Sequence, residues 1–95
     1  MNSRRQKLAS LIQEELKHLT FSLIGATPRI KESTVITVWL LGLNLTPKQV
    51  VEIQPTIHDS IPTLTTVQKI SSRFKDTVKL LKQESHDLYN NANLL

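Results

Sequence analysis

Three histidines, His18, His58 and His86, are the first side chains in this sequence that could move a proton or hold a metal. They stand forty and twenty-eight residues apart, with none of the close spacings that mark a local metal motif. The tripeptide His58-Asp59-Ser60 contains the residue types of a nucleophilic triad. Adjacent residues cannot hold the mutual geometry a triad requires, and Asp59 and Ser60 have an ordinary explanation as turn formers. Glu84-Ser85-His86-Asp87 reads as a solvated helix end rather than a metal site. Only Gly25 and Gly42 are glycine, so no Gly-rich loop can cradle phosphates, and with no cysteine there are no disulfides or thiolate metal ligands. The expectation is a protein that is not an enzyme and carries no cofactor.

Charge is the more informative chemistry. The net charge of +4 is unevenly spread: residues 1–31 hold six basic and two acidic side chains, residues 32–62 one and three, residues 63–95 five and three. Positive ends around a slightly negative middle suit a polyanionic partner, because Lys and Arg contacts to phosphate supply most non-specific affinity for nucleic acid. Arg4, Arg5 and Lys7 crowd the start of a helical pattern, where positive charge opposes the helix dipole. They are therefore candidates for phosphate contact. Thr65, Thr66, Gln68, Lys69, Ser72 and Arg73 form a second candidate set of the types that reach base edges and phosphates from one helix. Lys48 and Lys75 add charge beside it.

Four segments must position these side chains. From about Ser3 to Ile24, the residues Ala9, Ile12, Leu16, Leu19 and Leu23 recur at spacings of three and four and share one helical stripe. Ser3 is the candidate N-cap and Gly25 the stop. That stripe either completes the domain core or pairs with its own copy in a dimer, and dimerisation is the expectation. The second segment, Thr27 to Leu45, opens on Thr27-Pro28, a helix-start signature. Its stretch "STVITVW" is dense in β-branched residues that favour strands, so helix and buried strand both stand, with length favouring helix. Trp39 lies among apolar neighbours and is a core anchor.

The third segment starts at Thr46, where threonine, Pro47 and Gln49 make a capping-box start that Pro55 limits to about two turns. After a loop holding Pro55 and Pro62, a fourth segment runs from about Thr63 to Tyr89 as one long amphipathic helix. Val67, Ile70, Phe74, Val78, Leu81 and Leu88 lie on its apolar face. Residues 1–3 and 90–95 are expected to fray. The longest apolar run, Val38 to Leu43, is far short of the roughly 20 residues that cross a bilayer, so a soluble, cytoplasmic protein of one domain is expected.

"VWLLGLNLTPKQVVEI" followed by "TLTTVQKISSRFKDTVKLL" resembles helix-turn-helix domains of the kind found in the promoter-recognising region of sigma factors and in response-regulator output domains. Leu40, Gly42, Leu43, Val50, Ile53, Thr66, Val67, Arg73 and Leu80 or Leu81 carry the match over about half the chain. The resemblance implies a DNA-binding transcription regulator that reads the major groove with the fourth segment. Unlike that family's tight turn of roughly three or four residues, about nine residues separate the two helices here. A second resemblance, over "RRQKLASLIQEEL", "PRI" and "TVITV", is to the ribosome-binding factor A family of KH-type RNA-binding proteins. Arg5, Gln6, Lys7, Ala9, Ile12, Gln13, Glu15, Leu16, Pro28, Arg29 and Ile30 match. It implies α-β-β-α order, with strands over Thr34–Leu45 and Gln49–Ile57. Thr27 stands where that family has aspartate, and the Thr46 capping box argues against a hairpin.

The expectation is thus an all-α bundle of about four helices containing a helix-turn-helix-like unit, with nucleic acid, DNA before RNA, as its partner. The alternatives are the KH-like fold and a helical adaptor that binds another protein.

Overall fold

A computed structural model of the chain describes residues 2–25 and 30–93, with side chains described at residue 7 and over 10–25 and 30–87. The described residues form five α-helices: α1 (Asn2–Ile24), α2 (Glu32–Gly42), α3 (Pro47–Ile53), α4 (Leu64–Arg73) and α5 (Lys75–Asn93). A single 3₁₀ turn, Gln54–Thr56, follows α3, and no strand occurs among these residues. The fold is a small all-α domain. The positions that a KH-like order assigns to two strands are α2 and α3, which removes that alternative.

The segment left open between helix and strand is helical because it is the centre of the bundle. α2 packs against α1, α3, α4 and α5. Val35, Ile36, Val38, Leu40, Leu41 and Gly42 are all buried along it. Burial on every side lets tertiary contacts override the strand preference of its β-branched residues, which is a matter of about 1 kcal/mol per residue at most. Its first helical residue is Glu32, after an extended Lys31. The expected start at Thr27-Pro28 lies outside the described residues.

Gly42 is inside the helix rather than in the turn. A Cβ there would meet Leu81 Cβ at 2.6 Å, so glycine is what lets α2 and α5 cross this closely. The turn instead uses Asn44, which takes a left-handed φ of 72°. Asn44 N–H donates to Leu41 O at 3.0 Å, and Leu45 N–H to Leu40 O at 3.4 Å. This is the double bond pattern of a Schellman stop with asparagine in the glycine position. Two residues later the capping box forms as expected. Gln49 N–H donates to the Thr46 hydroxyl, and Thr46 N–H donates to Gln49 Oε1.

The fourth segment is two helices, not one. Phe74 leaves helical geometry at φ −108°, ψ 30° and separates α4 from α5. Phe74 N–H still donates to Ile70 O, and Phe74 O accepts from Val78 N–H, so the chain bends without opening. The bend lets α4 lie on α2 and α3 while α5 runs along α1 and α2. The apolar face survives it: Val67, Val78 and Leu81 are buried, and Ile70 and Phe74 pack against that core.

At the N-terminus Ser3 lies within α1, which begins at Asn2, so it is not the cap. Gly25 does end that helix, at φ +63°. Of the ends expected to fray, Asn2, Ser3 and residues 90–93 are helical, and residues 1, 94 and 95 lie outside the described residues. Among the described residues, no helix is long and apolar enough to cross a membrane.

Candidate nucleic-acid interface

α4 has a sharp division between its faces. Val67 is fully buried and Ile70 packs beside it, while Thr65, Thr66, Gln68, Lys69, Ser72 and Arg73 are all exposed. Thr65, Gln68, Lys69, Ser72 and Arg73 line one shallow groove along the helix. No acidic residue occurs in α4, so its two cations meet no opposing charge on their own helix. Arg73 rests 5.1 Å from the centroid of the Phe74 ring, a cation–π contact that holds the guanidinium near the bend.

The helix is held at both ends. Thr63 caps its start, its hydroxyl accepting from Thr66 N–H at 3.2 Å and lying 2.9 Å from the Thr66 hydroxyl. Thr66 is therefore partly engaged at home, leaving Thr65, Gln68, Lys69, Ser72 and Arg73 as the freer part of the set. Of the outlying candidates, Lys48 on α3, Lys75 on α5 and Lys7 on α1 are exposed. Arg4 and Arg5 are in the first turns of α1, but their side chains lie outside the described residues.

Ten residues, Gln54 to Thr63, join α3 to α4, so the helices pair without a tight turn. What fixes the connection is Gln54, a fully buried amide with no periodic or motif signal in the sequence. Its Nε2 donates to Ser33 O at 3.2 Å and to Ser60 Oγ at 3.3 Å, and its Oε1 accepts from the Thr37 hydroxyl at 2.7 Å. One side chain thus ties the connection to α2. Satisfying every polar atom is the condition for burying an amide without a large penalty.

His58 and Ser60 belong to this lock rather than to a triad. Ser60 N–H donates to His58 Nδ1 at 3.2 Å, and the Ser60 hydroxyl lies 2.8 Å from the same nitrogen. A turn brings this pair together, in keeping with the expectation that Asp59 and Ser60 form a turn. Asp59, exposed beside them, orients neither. No three His, Asp or Glu side chains gather as a metal site among the described residues.

The stripe expected to dimerise is used in part within the chain itself. Leu16 is buried in the domain's own core, with Ile12 and Leu19 packed against it. Leu23 is exposed, and the Ala9 side chain lies outside the described residues. α2 and α5 pack against α1, which accounts for the burial of Ile12, Leu16 and Leu19. Comparison with protein-family models, curated proteins and solved structures finds no match to this chain.

Proposed function

We propose that the protein binds nucleic acid, duplex DNA in particular, as a cytoplasmic transcription regulator of helix-turn-helix type with α4 as its reading helix. The observation that supports this is the exposed, acid-free face of α4, seated on a buried Val67 and packed against α3. Ten residues of helix are about 15 Å long, enough to lie in a major groove about 12 Å wide. Lys69 and Arg73 supply phosphate or guanine contacts, and Thr65, Gln68 and Ser72 supply base-edge donors and acceptors. Lys48 and Lys75 flank the helix to grip the backbone, with Arg4, Arg5 and Lys7 as further phosphate contacts. For a dimer on two half-sites, Leu11 and Leu23 are apolar residues that α1 leaves exposed.

Fluorescence anisotropy with a labelled random duplex tests the proposal. Affinity should fall steeply with salt, and Lys69→Ala with Arg73→Ala should lower the log–log salt slope by about 2. An affinity unchanged in that double variant removes α4 as the reader.

One observation favours a protein-binding adaptor instead. Ile53, Ile57, Ile61 and Leu64 are exposed along the α3–α4 connection, and Ile61 is 77% accessible. Replacing Ile57 and Ile61 by serine would abolish partner binding on that reading. It would leave duplex affinity unchanged on the first.

A further inference from the structure

A cleft of about 460 Å³ opens between the start of α2, the connection before α4, and α4 itself. That volume lies in the usual range for small-molecule sites, roughly 300–1,000 Å³. Its charge comes from Lys31 and Arg73, and no Asp or Glu lines it. Neither cation is ion-paired with an acid among the described residues. Thr34, Thr63 and Thr66 line the same space, the last two with their hydroxyls bonded to each other, while Ile30, Ile61, Pro62 and Ile70 supply an apolar wall. Thr37, Gln54 and Ser60 form its floor, already hydrogen-bonded to one another and so preformed.

Two cations without a counter-charge call for an anion of more than one charge. Several hydroxyl donors suit the many oxygens of a phosphate, and an apolar wall suits a flat organic body attached to it. Arg73 also lines the groove of the reading face, so the two sites share one guanidinium. We propose that this cleft binds a phosphate monoester of nucleotide size and that the ligand lowers duplex affinity by engaging Arg73. The binding stands on the cleft alone, whereas the coupling rests on α4 being the reader.

The probe is 5′-AMP, titrated into the full chain and followed by amide chemical shifts and calorimetry, with adenosine as the phosphate-free control. AMP should bind saturably and shift the amides of Lys31, Thr34 and Thr66, and adenosine should not. Lys31→Ala, at an exposed position outside the core, should weaken AMP about tenfold or more with an unchanged circular dichroism spectrum, the loss of a charge-assisted contact. Absence of saturable binding, or AMP binding that Lys31→Ala leaves intact, overturns the site. A 5′-phosphorylated oligonucleotide that displaces AMP, where its 5′-hydroxyl counterpart does not, would assign the monoester to strand ends rather than to free nucleotide.

At matched ionic strength, AMP at about ten times its native Kd should raise the duplex Kd of the native chain by about fivefold or more and that of Lys31→Ala by no more than about twofold. AMP binding with no effect on the duplex overturns the coupling. Absent duplex binding with AMP still bound overturns the DNA reading and leaves the cleft intact.

Discussion

At the scale of single residues, Gln54 holds the most in place. Its amide joins Ser33 and Thr37 of α2 to Ser60 of the connection, and through Ser60 to His58. Removing it empties a buried site and breaks the tie to Ser60, although the Thr37 hydroxyl keeps its bond to Ser33 O, so Gln54→Ala should cost about 2–3 kcal/mol in chemical denaturation. The same variant should become susceptible to proteolysis between residues 57 and 63 while the rest of the chain resists. If that segment stays as protected as in the native chain, Gln54 is not what pins it. Nothing in the sequence marks this residue. A polar side chain before a proline reads as exposed, and only the three partners brought from elsewhere make it a core residue. The exposed face of α4 shows the opposite case. Its side chains were identifiable from helical spacing alone, because their exposure follows from the apolar face opposite them.

At the scale of elements, local chemistry was legible and bends were not. The Thr46 capping box is written in adjacent residues and forms as written. Thr46→Ala should therefore cost about 1 kcal/mol by thermal or chemical unfolding. The helical state of α2 depends on four neighbouring helices, so its own β-branched residues could not decide it. The break at Phe74 has no glycine or proline to announce it. It arises because α4 and α5 serve different neighbours, which no periodicity along one helix can show. Gly42 owes its place to Leu81, thirty-nine positions away, a neighbour no local signal shows. Gly42→Ala should destabilise the domain by about 1–3 kcal/mol, despite alanine's better helix propensity, because α2 and α5 must move apart. A stabilised Gly42→Ala would show that the crossing has slack.

At the scale of the whole molecule, the chain is longer than it is wide, 38 × 24 × 21 Å, and its two longest helices, α1 and α5, pack against each other. Ile12, Leu16 and Leu19 of the apolar stripe on α1 pack inside this single body. Leu16→Ala should lower stability by about 2–5 kcal/mol, and the loss should be independent of protein concentration. A loss that shrinks as concentration rises would return the stripe to an interface between copies. The central helix α2 also carries the chain's one tryptophan, Trp39, whose buried indole nitrogen has no hydrogen-bond partner. An indole shielded in this way emits at shorter wavelength than one in water, so the native protein carries its own optical signal. Its emission will move to the red as the bundle opens, whichever helix gives way first. Every variant above can therefore be followed by intrinsic fluorescence without a label near α4, and a change in DNA affinity separated from a change in fold in one cuvette.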